Sequence, residues 1–170
     1  METQTMKATN LKLKEFFVHQ LRDIYWAEKK LFSTLPKLQE AATTPELKDA
    51  FGQNRKLAQS HVDRLEQVFG MVNEKVDSGK CAAIANIVEE GADLIEETNK
   101  GSVQRDTGLI FAGKKAEHYK IATYSAMIDL AKNIGYRQAA DILNVTLVED
   151  KAADALLTRI AENNINYALN

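Results

Sequence analysis

The spacing of apolar residues is the feature that most constrains how this chain can fold. Along four long segments, apolar side chains recur every third or fourth position, as Leu13, Phe17, Leu21 and Ile24 do in the first. This is the period of an α-helix with one buried face, and no segment shows the alternation of a half-buried strand. The chain has only two prolines, which suits long helices. The sequence therefore predicts an all-α fold.

Start and stop signals divide this pattern into helices. Thr44 and Pro45 are typical of a helix start, Gly135 is typical of a helix end, and Pro36 is expected to kink its helix rather than end it. The predicted helices cover, in chain order, residues 10–42, 45–73, 81–100, 103–133 and 136–163. Residues 1–9 are expected to form a disordered tail of a single domain spanning residues 1–170, a length that suits one domain.

The lengths of the connections predict how the helices are arranged. Short breaks join the long helices into two hairpins, whereas the connection between the hairpins is long and carries the short extra helix. This order is typical of an antiparallel ferritin-like four-helix bundle, in which the middle connection travels the length of the bundle.

Each long helix also carries polar residues where its apolar stripe predicts a core side chain. The candidates are Glu28 on the first helix, Asn54 and His61 on the second, Glu117 on the third, and Glu149, Asp150 and Asp154 on the fourth. A buried, unpaired carboxylate costs several kcal/mol or becomes protonated. Any one of these positions is readily explained as a boundary residue, but their occurrence on four helices favours a shared site.

A metal site is the shared explanation that the fold suggests. Bundles of this class hold two iron or two manganese ions with single glutamates from two helices and a Glu-x-x-His pair from each of the other two. Glu28 and Glu117 fit the single glutamates, but Leu57 and Ala58 precede His61, and the last helix has no histidine. The predicted metal residues are therefore Glu28, His61, Glu117, Glu149, Asp150 and Asp154. They leave three alternatives open: a weakened pair of ions, one ion or none.

Composition excludes some functions and favours a compartment. There are 22 basic and 24 acidic side chains and the pI is about 6.0, which argues against a nucleic-acid or anionic-membrane binder. The single cysteine favours the reducing cytoplasm, and no signal peptide or membrane span is recognised. Phe16, Trp26 and Phe32 widen the apolar area of the first helix, which favours a homodimer.

Five blocks of the sequence resemble one bacterial family. They are "LRDIYWAEKKLFSTLPKLQEAA", "HVDRLEQVFG", "AEHYKIATYSAM", "GYRQAADIL" and "TLVEDKAADALLTRIAENNIN". In this order they are similar to the YciE/YciF-type ferritin-like stress proteins, from Leu21 to Asn166. The resemblance implies a cytoplasmic, homodimeric ferritin-like domain associated with stress responses. It also implies a rubrerythrin-like di-metal site, although the family has no established reaction.

The resemblance assigns places in that site to three parts of this chain. Glu28 matches the glutamate of the family's first helix, and Glu117 matches the first residue of its EHYEI block. Its EEKATD block corresponds to the segment that contains Glu149, Asp150 and Asp154.

Two blocks depart from the family pattern. The family's HLEET is NRKLA at residues 54–58, and EHYEI is EHYKI. Three acidic positions are lost, and Lys56 and Lys120 replace two of them. A lysine in place of a ligand supplies a positive charge without a metal, so Lys120 is a candidate substitute for a cation.

Three hypotheses follow from these observations. The favoured one is a ferritin-like stress-response protein with a degenerate di-metal site and no robust catalysis. The second is a functional di-iron or di-manganese protein that oxidises iron or handles peroxide. The third is a helical structural or interaction module. No cofactor or small-molecule substrate is fixed by the sequence; iron and manganese are the ions that such a site would take.

Overall fold

The computed structural model describes the backbone of residues 2–169 and the side-chain surroundings of residues 6–163. All regular secondary structure in this part of the chain is helical. The helices are α1 (Glu2–Ala41), α2 (Pro45–Met71), α3 (Ala82–Glu97), α4 (Val103–Asn133) and α5 (Arg137–Leu169). The predicted all-α fold is confirmed, and every predicted helix is present.

The first and last helices are longer than the sequence predicts. The prediction of a disordered tail over residues 1–9 is wrong for the described backbone, because α1 already begins at Glu2; Met1 lies outside the described residues. Glu, Gln, Met, Lys and Ala are good helix formers, and they can extend an existing helix without a buried face. Likewise, α5 continues to Leu169, past the predicted end near residue 163.

The sequence signals at Pro36, Thr44 and Gly135 have the positions in the helices that the sequence predicts. Pro36 lies inside α1, which continues past it. Thr44 holds the N-cap position of α2, although its side chain makes no capping hydrogen bond. Gly135 has a φ of 91° after α4, a left-handed conformation that costs glycine little and most residues more.

Asp106, in the first turn of α4, shows how the two hairpins are oriented. Its carboxylate accepts hydrogen bonds from the backbone N–H groups of Thr43 at 2.6 Å and Thr44 at 2.9 Å. These residues form the turn between α1 and α2, so α4 starts at the end of the bundle where α2 begins. The connection that contains α3 therefore returns along the bundle from the far end of α2, as the sequence predicts.

The four long helices surround one core. α1 packs against α2 and α4, and α5 packs against α2 and α4, while α3 covers α1 and α4. The core contains large, fully buried side chains from every long helix: Phe17, Leu21, Ile24, Phe51, Leu65, Phe69, Leu109, Tyr124, Leu143 and Leu157. Of the polar residues predicted on the inner faces, Glu28, Asn54, His61, Glu117 and Asp150 are buried within this apolar packing, and they define the place of the candidate site.

Candidate functional site

A buried lysine lies among three buried carboxylates in the core. Lys120 Nζ is 2.7 Å from Asp150 Oδ1, 3.1 Å from Glu117 Oε2 and 3.9 Å from Glu28 Oε1. Lys120 is 5% exposed, so its ammonium points into the bundle and does not extend to solvent. We refer to Glu28, His61, Glu117, Lys120 and Asp150 as the core ion cluster. The inward orientation predicted for its acidic residues and for His61 is confirmed.

His61 joins α2 to α1 and α5 through both ring nitrogens. Nδ1 lies 3.0 Å from Glu28 Oε1 and 3.7 Å from Asp150 Oδ1, and Nε2 lies 3.0 Å from Glu149 Oε2. Burial alone lowers the pKa of His61, but the negative charge and hydrogen bond of Glu28 outweigh it and raise the pKa. Carboxylates on both sides thus favour the doubly protonated ring.

Glu149 lies at the edge of the core ion cluster and is held by Arg64. The guanidinium donates two hydrogen bonds to the carboxylate, from Nη1 to Oε2 at 2.5 Å and from Nη2 to Oε1 at 2.9 Å. These bonds lower the pKa of Glu149, which is therefore ionised at neutral pH. Arg64 is not among the predicted site residues, although its position three residues after His61 places it near the same face of α2.

Two neutral side chains also donate hydrogen bonds to the carboxylates. Tyr124, which is fully buried, donates its hydroxyl to Glu28 Oε1 at 2.9 Å. Asn54 donates its amide to Glu117 Oε1 at 3.5 Å. Burial alone raises the pKa of Glu28, but Lys120, His61 and the Tyr124 hydroxyl outweigh it and lower the pKa. Glu28 is thus kept ionised in the core.

The charges of this region nearly balance without an added cation. Burial raises the pKa of Glu117 to about 7 against the attraction of Lys120, and burial also raises the pKa of Asp150. Burial alone would lower the pKa of Lys120, but the surrounding carboxylates raise it well above its ordinary value. Near neutral pH the ammonium therefore stays charged while Glu117 is partly protonated.

The spacing of the possible ligand atoms, and the carboxylate oxygens that accept no hydrogen bond from the described residues, determine how many metal ions these residues could bind. Ligand atoms of Glu28, His61 and Asp150 all lie within 4.8 Å of one another, which suits one ion. Glu28 Oε2 and Asp150 Oδ2 are buried and accept no hydrogen bond from the described residues, so both are available as ligands. A second ion does not fit, because the Lys120 ammonium occupies the space between Asp150 and Glu117. The residues fit one metal ion and not two.

Asp154 lies outside the core ion cluster, although the sequence groups it with the metal residues. One turn beyond Asp150, its carboxylate contacts Lys114 Nζ at 2.7 Å and His118 Nε2 at 3.1 Å. The His118 side chain is 65% exposed, as expected for a residue that points away from Glu117. The i,i+4 spacing places Asp154 one turn along α5, where the nearest cation is Lys114 of α4 and not a core group.

The departures from the family pattern differ in whether the replaced residue lies in the core. Lys56 is exposed and Leu57 is half-buried, and among the described residues neither side chain forms a hydrogen bond or ion pair with the core ion cluster. Asn54, at the first position of the same block, is buried and contacts Glu117. The substitutions that change the chemistry of the core are therefore Asn54 and Lys120.

The bundle topology and the carboxylate-lined core define a ferritin-like helical protein, and sequence comparison gives its family. The profile of a family described as "Domain of unknown function (DUF892)" matches residues 12–170. Protein YciF of Escherichia coli (strain K12) is 41% identical over 155 residues, which cover 91% of this chain and 93% of that protein. The chain belongs to this YciF-containing family, as the resemblance of its sequence blocks implies.

Solved structures agree with this assignment. The crystal structure of the E. coli stress protein YciF matches with a TM-score of 0.86 and 39% identity, covering 91% of this chain and 97% of that one. YcfI from Rhodopseudomonas palustris matches with a TM-score of 0.83 and 30% identity over 86% and 92% of the two chains. A Xanthomonas campestris protein, 19% identical with a TM-score of 0.73 over 93% and 96% of the two chains, shares the fold.

The structure bears on membrane association in one respect. Over the described residues, none of the helices carries an apolar stretch that would traverse a bilayer.

Proposed function

We propose that this chain is a stress-response protein of the ferritin-like class in which Lys120 replaces one of the two metal ions of a carboxylate-bridged site. One observation carries the proposal: the buried Lys120 ammonium lies 2.7 Å from Asp150 and 3.1 Å from Glu117. A cation in this place offsets the carboxylate charge that a second ion would otherwise offset. The stress-response role is supported by the likeness to E. coli YciF, itself described as a stress protein.

Beside Lys120, the site would still bind one divalent metal ion. Glu28, Asp150 and His61 Nδ1 would bind it, a mixed nitrogen and oxygen set that suits iron or manganese. His61 Nε2 would then donate its hydrogen bond to Glu149, which Arg64 holds in place, and this would fix the orientation of the ring. A bound ion would supply a Lewis-acid or redox centre.

The competing function is a di-metal oxidase that acts on iron or peroxide. Such chemistry uses two ions about 3.5–4 Å apart. The ammonium between Asp150 and Glu117 opposes a second ion by charge and by volume, because a like charge at this distance is costly in a buried site. We therefore assign this chain a core that is maintained by its internal ion pairs, with no di-metal turnover.

Metal stoichiometry tests the proposal. The purified protein is offered Fe²⁺ or Mn²⁺ without oxygen, desalted and measured by elemental analysis. The wild type should retain at most one equivalent per chain. Lys120→Glu, which places a carboxylate where the family's EHYEI block has one, should retain one equivalent more.

A matched variant controls for the change of charge. Lys132 is exposed on the same helix, and Lys132→Glu should keep the stoichiometry of the wild type. Two equivalents in the wild type would contradict the proposal, as would a Lys120→Glu protein that folds but binds no additional ion.

The proposal extends to assembly and compartment: a cytoplasmic homodimer that binds neither nucleic acid nor membranes. The lone Cys81 and the pI near 6.0 support the compartment and the absence of these partners. Of the three aromatic residues that favour a dimer, Trp26 and Phe32 pack against the chain's own core, while Phe16 is 56% exposed. Sedimentation should show a dimer that Phe16→Glu dissociates; a wild-type monomer would contradict it.

A further inference from the structure

A small cavity lies beside the core ion cluster and is bordered by α1, α2, α3 and α4. The volume of the cavity is about 30 Å³. Most of its wall is apolar, with Leu35 and Ile87 among the contributors, and Asn54, Glu117 and Lys120 are its polar lining where it meets the cluster. The cavity thus offers a polar group and an apolar wall to the same guest.

The cavity is separated from solvent by few side chains. A groove on the surface between α1 and α3 is lined by Thr34, Leu38 and Val88, and the same three residues line the cavity. α3 belongs to the connection between the hairpins and is not one of the four bundle helices. The shared residues therefore mark a route by which a molecule would pass from this groove into the cavity.

The polar lining contains an acceptor that lacks a donor. Glu117 is 5% exposed, and no described residue donates a well-aligned hydrogen bond to its Oε2 atom. Lys120 Nζ lies 3.1 Å from this oxygen and offsets its charge, and the second lone pair of the oxygen is open to another donor. The other carboxylate oxygen already accepts from Asn54. A guest with one hydroxyl would satisfy the free oxygen, and its remaining atoms would face hydrocarbon.

The size of the cavity limits the guest. A water molecule needs roughly 10–15 Å³ of such volume, so about two to three water-sized positions are present. A neutral guest suits the cavity, because its mostly apolar wall would leave the charge of an ion without counter-charge. We propose that the cavity binds a short-chain aliphatic alcohol, with its hydroxyl donating to Glu117 Oε2 and its chain against Leu35 and Ile87.

A pair of isomers tests the hydroxyl contact without changing the protein. Propan-1-ol and methoxyethane have the same atoms, but only the alcohol can donate a hydrogen bond. Each is titrated in sealed tubes into chelator-treated protein while methyl signals of Leu35 and Ile87 are followed by NMR. Propan-1-ol should give saturable shifts with a dissociation constant on the order of millimolar, and methoxyethane should bind at least about fivefold more weakly.

Two glycine variants test the location. Gly91 lines the cavity from α3, and a Cβ there would lie 3.7 Å from Ala112 Cβ and 3.8 Å from Leu38 Cδ2, so Gly91→Ala fits without a clash while narrowing the space. Gly70 has no atom within 4 Å of the corresponding position and does not line the cavity. Gly91→Ala should weaken propan-1-ol binding about tenfold, and Gly70→Ala should leave it unchanged.

Three results would overturn the proposal. One is a shift that rises linearly with propan-1-ol, without saturation. Another is equal binding of the two isomers, and the third is equal weakening by the two glycine variants. Because all titrations use metal-free protein, these outcomes are independent of the metal stoichiometry on which the proposed function depends.

Discussion

Lys120 is the residue whose surroundings decide the chemistry of this bundle. An ammonium in a core is stable only with compensating charge, and Lys120 has carboxylates from α1, α4 and α5 within 3.9 Å. Because of the same contacts, each carboxylate depends on Lys120 for its counter-charge. The lysine and the acidic residues are therefore one energetic unit, and removing either part should cost more than removing both.

Replacing Lys120 alone should expose this dependence. In chelator-treated protein at pH 8, Lys120→Met should lower the free energy of unfolding by about 3–5 kcal/mol, because buried carboxylates lose their counter-charge. The double variant Lys120→Met/Glu117→Leu should recover at least about 1 kcal/mol. Urea unfolding measures both.

A lysine on the surface of the same helix provides the control. Lys114 pairs with Asp154 and is 32% exposed, so Lys114→Met should change stability by no more than about 1 kcal/mol. Equal losses for the two lysine variants would contradict the account of Lys120.

Glu117 should make part of the stability depend on pH. Its pKa is raised to about 7 by burial, against the attraction of Lys120, from an ordinary value of 4.5. Between these values the folded chain holds a proton that the unfolded chain has released. The contribution of Glu117 to stability is therefore fully present below pH 4.5, falls as the pH rises, and is lost above pH 7.

Comparison with Glu117→Gln isolates this contribution from other titrating groups. His61 acts in the same direction, since its pKa is also raised, whereas Glu28 and Glu149, whose pKa values are lowered, act in the opposite direction. The stability of the wild type relative to Glu117→Gln should be lower at pH 8 than at pH 5. A difference that does not vary with pH would contradict the raised pKa of Glu117.

At the scale of the helices, the first turn of α4 forms hydrogen bonds with the end of α3 and with the turn before α2. Arg105 donates to the backbone carbonyls of Ile95 and Thr98 at the end of α3. Asp106 accepts from the backbone at the start of α2. One short segment thus links the end of the long connection to the turn of the first hairpin.

Asp106→Ala should therefore loosen the bundle. The change leaves the Thr43 and Thr44 N–H groups without their acceptor, and we expect a loss of about 1–3 kcal/mol in urea unfolding. Asp63→Ala provides the comparison, because Asp63 is exposed and its hydrogen bond comes from the exposed Gln59. The role of Asp106 is contradicted if both variants keep the stability of the wild type.

Helical periodicity explains how much of the site the sequence could predict. Periodicity determines the face of the helix on which a side chain lies. It therefore predicts correctly that Glu28, His61, Glu117 and Asp150 lie in the core. It does not fix how far a long side chain reaches or which charge it meets. Arg64 and the inward path of Lys120 depend on partners from other helices, and periodicity contains no information about them.

At the scale of the whole molecule, this chain keeps the fold of its relatives while its site chemistry depends on a few positions. The likeness to E. coli YciF extends over 91% of the chain. A shared fold does not by itself imply a shared reaction, because the ligands and charges of the site determine that. With an amide at Asn54 and an ammonium at Lys120, we propose that the bundle keeps its packing with one metal ion or none.

The position of bound metal tests this account most directly. A crystal of the wild type soaked in Mn²⁺, with data collected for anomalous scattering, locates each ion without reference to activity. We expect at most one peak, between Glu28, His61 and Asp150, and none between Glu117 and Asp150, where the Lys120 ammonium lies. Two peaks about 3.5–4 Å apart, with Lys120 displaced from the carboxylates, would contradict it.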